Sequence, residues 1–383
     1  MPSALFVTTV PITLEAFLLP FADHFRGLGW TVDALANGAT AASPLDGQFD
    51  ERFDVAWSRN PLAPSNLLGT SSRVREIVVA GGYDIVHVHT PIAAFVTRHA
   101  LRELRRRPGG PVVIYTCHGF HFYRGQTALP HAFFRTMERT AAPWTDYLVT
   151  INREDFSAAK LLGGIAEDRV RYIPGIGVDV KRFAPDAVSA QTVATTRADL
   201  GASRGQFLLT MVAELTGNKR HELAFRALAQ VRDPRVVLAI VGDGALESAL
   251  REKAVALGLG DRVHWAGYRK DLPAVLSASD ALLLTSEREG LNRSVLEAMA
   301  TGIPVIGTDT RGITDAVGES AGWIAGHDDV AGLAAAIASA ASNPEDLARR
   351  GAAARERAVN EFALDRIVAA YDGLYGEALA SRL

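Results

Sequence analysis

The chain has 383 residues, 48% of them hydrophobic and 22% charged, with a formal net charge of −3. That length exceeds one ordinary core and suits two α/β domains, and the charge lacks the basic excess of a nucleic-acid binder. One cysteine, Cys117, excludes an intrachain disulfide framework and fits a reducing cytoplasm, while no apolar stretch reaches the roughly 18–20 residues of a membrane span.

The first seven residues carry no basic leader and run directly into a strand-like segment, so no signal peptide is expected. The location expected is cytoplasmic, at most peripheral at the inner face of the membrane. Short β-branched runs at residues 4–8, 85–89, 112–116 and 147–151 predict buried parallel strands. A turn-rich segment at 172–179 has the character of a domain end, and the pattern then lapses into polar and small residues over 186–204. A second series of strands is predicted at 207–212, 236–241, 263–265, 281–285 and 304–307. The Ala-rich stretch 330–341 predicts a packed helix, and a last helix is expected over roughly 361–381. Strand and helix alternating in this way imply α/β architecture: two Rossmann-like domains, 1–180 and 181–360, facing a central cleft, followed by a helical segment 361–383. Ligands of such sheets bind at the carboxyl ends of the strands.

The most informative segment is 286–300, Ser-Glu-Arg-Glu-Gly-Leu-Asn-Arg-Ser-Val-Leu-Glu-Ala-Met-Ala, between an apolar strand and Gly302-Ile303-Pro304-Val305. A helix should start near Asn292, a good capping residue, and stop at Gly302. Its first turn offers unpaired N–H groups and a positive dipole end, a ready anion site. Glu289 lies just ahead of that end and Glu297 about a turn and a half inside it, so two carboxylates could reach different parts of one elongated ligand. The other reading is an amphipathic helix with two solvated carboxylates. A second segment, 211–223, is a polar loop after a strand that feeds a helix, which suits diphosphate binding. Lys219 in it is a mobile point charge fit for a leaving phosphate, or else a surface lysine near a helix start. In the first half, residues 115–123 follow a buried strand and place His118 at its carboxyl end, with His121 a weaker candidate; a satisfied loop histidine is the alternative for both.

Other features carry less. His87 and His89 alternate along a strand, share one face and read as packing; Asn152 with Asp155 reads as a helix cap. Gly242-Asp243-Gly244 is no dinucleotide fingerprint, because position 247 is Glu, and Thr8-Thr9-Val10-Pro11 after the first strand offers no glycine. No D-x-D pair follows a strand and no His/Cys spacing suits a metal, so none is expected. Arg98, Arg102, Arg105, Arg106 and Arg107 cluster on a predicted helix. They read either as a solvated face or as a contact for anionic lipid.

Segment 286–305 resembles glycosyltransferase family 4, whose hallmark is Glu, seven residues, then Glu, within E-G-x-x-x-x-x-L-E-A-M-A-x-G-x-P-V; Glu289, Gly290, Glu297-Ala298-Met299-Ala300, Gly302, Pro304 and Val305 are in register. The resemblance implies the GT-B fold and a retaining, metal-independent transfer of a sugar from a nucleotide diphosphate, with the final helix returning to the first domain. It implies that Glu289 contacts donor-sugar hydroxyls and that the backbone of Gly290, Leu291, Asn292 and Arg293 holds sugar and phosphate oxygens. Glu297 would take the ribose diol, Lys219 the phosphates, and His118 the donor sugar. Arg269, in Gly267-Tyr268-Arg269, falls where the family builds the wall of the base pocket. Glu214 stands where the family has an arginine, which leaves Arg220 or Arg293 to supply the charge. The donor implied is a UDP-hexose, with no other cofactor. The His118 neighbourhood resembles bacterial members that build surface polysaccharides, which points to a lipid-linked saccharide acceptor. A natural-product glycosyltransferase, a nucleotide-sugar epimerase on the same fold, a phosphorylase-like enzyme and a non-catalytic nucleotide binder are the rival readings.

Overall fold

Runs of Val, Ile and Leu bounded by turn residues become strands covered on both faces. In the computed structural model, which describes residues 1–58 and 63–381 and only the backbone of Leu68, these runs build two separate parallel sheets. Residues 59–62 of the first expected domain and 382–383 of the expected helical tail lie outside the described residues. The chain divides into two units, one of Met1–Ile176 with the chain from Arg366, the other Gly177–Asp365.

In the first unit β1 (Ser3–Val7), β2 (Thr31–Ala36), β3 (Arg52–Asp54), β4 (Ile85–Val88), β5 (Val112–Cys117), β6 (Tyr147–Thr150) and β7 (Val170–Tyr172) lie in the order β3-β2-β1-β4-β5-β6-β7. The direction of winding reverses between β1 and β4, where Leu5 pairs with Asp33 on one side and Val86 on the other. Strands β2, β3 and β7 were not among those expected. Asp33 interrupts the apolar run of β2, yet it is buried because the Glu51 N–H and the Tyr83 hydroxyl both donate to it. The other two are three-residue edge strands, too short to show a period.

The helix Leu364–Ala380 belongs to this unit through its buried tyrosines. The Tyr375 hydroxyl lies 2.6 Å from His87 Nδ1 and that of Tyr371 3.0 Å from Thr116 Oγ1, while the Tyr375 ring stacks on Phe25 with centroids 4.5 Å apart. His87 thus has a packing role, its other nitrogen meeting Thr116 Oγ1 at 2.8 Å.

The basic cluster needs correction. The helix Pro91–Leu101 ends before most of it, and Leu104–Arg106 form a 3-10 turn. Arg98 is no surface cation: it is 1% exposed, bonds Glu138 at 2.9 Å and lies 4.2 Å over the Tyr115 ring. Arg105 is paired with Asp146.

In the second unit β8 (Phe207–Val212), β9 (Val236–Val241), β10 (Val263–Gly267), β11 (Ala281–Leu284), β12 (Val305–Thr308) and β13 (Gly322–Ala325) run in the order β10-β9-β8-β11-β12-β13, reversing between β8 and β11. One apolar core joins these strands to the helices His221–Gln230, Arg293–Thr301 and Val330–Ser342. Gly242 and Gly244 gain a role here. A Cβ on them would stand 2.0 Å from the Ala213 carbonyl and 2.7 Å from that of Leu215, so both glycines let the loop after β9 press against the loop after β8. The Leu215 N–H donates to the Asp243 carbonyl across that contact at 2.8 Å.

The stretch in which the pattern lapses, 186–204, holds a helix, Ala190–Asp199. Alanines and threonines give it little apolar periodicity; Ser189 caps it, and Arg197 ties it to Asp280 at 2.7 Å. Among the described residues no helix is long and apolar enough to cross a membrane.

Candidate active site

In an open parallel sheet the loops that leave adjacent strands in opposite directions part at the reversal of winding, and the gap between them is where ligands bind. In the second unit that place lies between the loops after β8 and β11, and both expected motifs stand there. The 217–220 turn and the 285–289 loop are laced together. The Glu287 N–H donates to the Asn218 carbonyl at 2.7 Å, and Asn218 Nδ2 donates to the Arg288 carbonyl at 3.1 Å. The buried Thr285 hydroxyl lies 3.0 Å from the carbonyls of both Lys219 and Arg220.

The lacing brings Lys219 Nζ to 2.6 Å from Glu289 Oε1, with the two side chains 18% and 11% exposed. Two candidates from separate segments therefore meet as a half-buried ion pair. The backbone of Glu289 is fixed from a third loop, since Arg311 Nε donates to its carbonyl at 3.0 Å. Gly312 makes this approach possible: a Cβ there would stand 2.2 Å from the Gly290 carbonyl. Thr310 completes the junction by donating to the Ser286 carbonyl at 2.9 Å.

The helix after this loop runs Arg293–Thr301 and has the expected ends: Asn292 is its N-cap, accepting from the Val295 N–H at 3.2 Å, and Gly302 closes it in the left-handed region at φ 86°. Ser294 Oγ lies 2.7 Å from Asn292 Oδ1 and 3.1 Å from the Val212 carbonyl, which holds the helix start beside the end of β8. Its positive end is thus beside the Lys219 turn. Glu297, 3% exposed, is held by Arg293 Nε at 2.8 Å. Burial raises its pKa, with Arg293 and then Arg182 opposing the rise. Glu297 is not the solvated carboxylate of the amphipathic-helix reading.

The other candidates are placed differently. Arg220 has φ 52° and turns its guanidinium onto Asp328, with the His327 carbonyl at 3.0 Å and Glu287 at 3.4 Å, so acidic groups already meet its charge. Arg269 is bound to Asp271 through two contacts of 2.7 and 2.6 Å. Glu214 is exposed. His118 lies in the first unit, at that sheet's own reversal. There the loops after β1 and β4 are joined by the Thr9 N–H donating to Thr90 Oγ1 at 2.7 Å. His118 Nε2 is 3.2 Å from His89 Nδ1, and the His118 ring stacks on Phe17 at 5.6 Å. Burial lowers its pKa to about 4, so it is neutral at pH 7. His89 packs as expected, 3% exposed against the rings of Phe6 and His87 at the base of His118, and its Nε2 has no hydrogen-bond partner among the described residues.

Thr285, Thr310, Arg311 and Gly312 escaped the sequence reading. The last three follow a strand and open a helix, which is the same signal that marked the two motifs. Among the described residues no group of three or more His, Cys, Asp or Glu side chains is arranged to hold a metal. A site with one mobile cation, a helix start and two carboxylates can hold a diphosphate and hydrogen-bond polyhydroxyl groups on either side of it.

Comparison with known proteins agrees with this geometry. The family described as "Glycosyl transferases group 1" matches residues 193–357, and "Glycosyltransferase Family 4" matches residues 14–182. The chain is 34% identical over 362 residues to EpsD of Bacillus subtilis (strain 168), named as a glycosyltransferase, covering 93% of this chain and 91% of that one. It is 31% identical over 240 residues, 60% of this chain and 59% of the relative, to a UDP-Gal:alpha-D-GlcNAc-diphosphoundecaprenol alpha-1,3-galactosyltransferase of Escherichia coli. The crystal structure of Anabaena Alr3699/HepE in complex with UDP and glucose superposes with a TM-score of 0.80 at 21% identity, over 98% of this chain and 100% of that one. With both its sheets, its two motifs and a near full-length relative in agreement, the chain belongs to glycosyltransferase family 4 and is a glycosyltransferase of the GT-B fold.

Proposed function

We propose that the protein moves a hexose-type sugar from a UDP-sugar to a lipid-linked saccharide in cell-surface glycan synthesis, with retention of configuration and without a metal. The observation that carries this reading is the Lys219–Glu289 pair at 2.6 Å beside the Asn292-capped helix start. In the free protein the two charges neutralise each other. An arriving donor separates them, its diphosphate taking Lys219 and the helix N–H groups, its sugar hydroxyls donating to Glu289. Glu297 takes the ribose diol once Arg293, 46% exposed, swings from it toward a phosphate oxygen. Arg220 is the weaker choice for that charge, because Asp328 and Glu287 already hold it.

In the reaction the bond from the anomeric carbon to the phosphate oxygen breaks, and a bond to the acceptor oxygen forms on the same face. The acceptor's proton passes to the departing phosphate. Charge accumulates on that leaving group, where a preorganised cation contributes about 3–4 kcal/mol. Two names support the donor and acceptor: the Escherichia coli relative is named for UDP-Gal and a diphosphoundecaprenol-linked sugar, and the Anabaena structure is titled with UDP and glucose. A lipid-linked acceptor places the work at the inner face of the membrane. The test is a thermal-shift panel of UDP, GDP and ADP with their sugars, then product analysis on diphospholipid-linked saccharides with and without EDTA. Stabilisation by UDP compounds, an EDTA-insensitive product and an unchanged anomeric configuration are expected. Donor consumption that ignores the acceptor would indicate an epimerase instead, and binding without turnover a non-catalytic protein.

A further inference from the structure

The helix Ala128–Ala141 in the first unit follows the His118 loop and lies against the helix Pro91–Leu101. It buries one edge and leaves the other bare. Phe134 and Glu138 turn inward, the latter to Arg98, and Ala141 is buried. On the opposite side Leu129 is 85% and Phe133 36% exposed, one helical turn apart. Among the described residues only Met1 is a more exposed large apolar side chain than Leu129. Thr136 and Thr140 continue that outward stripe, and Arg135 and Arg139 flank it, exposed.

The charge around this stripe is one-sided. Residues 98–141 contain eight arginines and two glutamates. Glu138 is spent on Arg98, the exposed Glu103 is the one other acid of this stretch, and Asp146 just beyond it is paired with Arg105. Arg106, Arg107, Arg135 and Arg139 are exposed and make no ion pair among the described residues. An apolar stripe bordered by uncompensated guanidinium groups is what an interfacial helix presents to acidic headgroups. A soluble partner's apolar patch would account for Leu129 and Phe133 but not for the unpaired arginines.

We propose that the outward face of the Ala128–Ala141 helix, with Leu129 and Phe133 inserted and Arg135 and Arg139 on phosphate headgroups, docks on an anionic lipid bilayer. The surface cation expected at Arg98 is thereby replaced by a different element, since Arg98 itself is buried. The docking face begins one loop after His118, so it would bring that histidine's neighbourhood to the membrane surface.

Flotation of the full chain with phosphatidylglycerol–phosphatidylcholine vesicles, without any donor present, tests the proposal separately from the glycosyltransferase reading. Binding is expected to anionic vesicles at low salt and not to pure phosphatidylcholine. Arg135→Gln with Arg139→Gln should weaken partitioning about 30-fold, roughly fivefold per charge. Leu129→Ser with Phe133→Ser should abolish retention as salt rises, with unchanged thermal melting. Should the serine variant misfold, the arginine pair decides alone. No binding of the wild type, equal binding to neutral vesicles, or variants that bind like wild type would overturn the proposal. So would a serine variant that converts a dimer to a monomer in a protein that ignores vesicles, which would make the face a contact between copies.

Discussion

Breaking the Lys219–Glu289 pair from either side should have unequal costs. The two side chains touch at 2.6 Å and are 18% and 11% exposed, between the surface pairs worth under about 1 kcal/mol and the buried pairs whose rupture costs about 3–5 kcal/mol. In Lys219→Met the carboxylate left behind faces the positive start of the Arg293–Thr301 helix, which partly compensates it, so about 1 kcal/mol of stability should go. In Glu289→Gln the ammonium left behind faces that same positive end with no anion at hand, and about 2 kcal/mol should go. The double variant leaves neither charge stranded and should be no less stable than Lys219→Met. Urea denaturation of the four proteins measures this cycle. Turnover should follow a different rule: Lys219→Met removes a leaving-group cation worth about 3 kcal/mol, a loss of about 100-fold in kcat, and the double variant should not recover it. Additive stability losses, or a Glu289→Gln protein as stable as wild type, would refute the idea that each charge holds the other at the helix start.

Three further outcomes follow from particular contacts. Thr285→Val should remove the hydroxyl donor to the Lys219 and Arg220 carbonyls, the second of which keeps the Leu223 N–H, costing about 1 kcal/mol and raising the KM for donor, whereas Thr285→Ser should restore both contacts in the same melts and kinetics. Arg98→Ala should destabilise by about 3 kcal/mol because it strands Glu138 and empties the space over Tyr115, while Arg106→Ala should fall within about 0.5 kcal/mol of wild type by thermal melting. Acid should unfold the protein early. Burial, with Lys219 adding to it, lowers the pKa of His221 to about 4, and burial lowers that of His87 to about 3. A histidine depressed from 6.5 is at no disadvantage above pH 6.5 and withdraws stability as pH falls from there to the folded-state value. His221 alone should withdraw about 3 kcal/mol by pH 4. His221→Phe should flatten the melting temperature between pH 6.5 and 4 relative to wild type.

Much of the architecture was legible because central parallel strands are continuous apolar runs. The strands that escaped were the three-residue edges β3 and β7, together with β13 and the charged β2, where Asp33 looks like a breaker until Tyr83 and Glu51 are folded onto it. The helix Ala190–Asp199 escaped for the opposite reason, since a capped Ala/Thr helix with Thr196 buried in it carries no amphipathic period. The arginine cluster misled because charge reads as exposure in one dimension. Arg98 sits on the inward face of its helix, and its partner Glu138 arrives from a helix 40 residues later.

The site divides along the same line. Residues whose work is set by their own segment could be read directly: Asn292 as cap, Gly302 as terminator, Glu289 just ahead of a helix start. Residues that work by crossing between loops could not, because Thr285 matters only when the 217–220 turn lies on it, and Arg311 with Gly312 only when the Gly290 backbone passes within reach. The sheet order links the two classes. With β8 and β11 adjacent and their crossovers leaving in opposite directions, the Lys219 turn and the Glu289 loop have no helix between them and must either repel or interlock. Hydrogen bonds from Asn218, Glu287 and Thr285 make them interlock, and a lysine and a glutamate 70 residues apart become one charged pair. The strand reversal thus converts two separately recognisable motifs into a single site whose charges are balanced until an anion divides them.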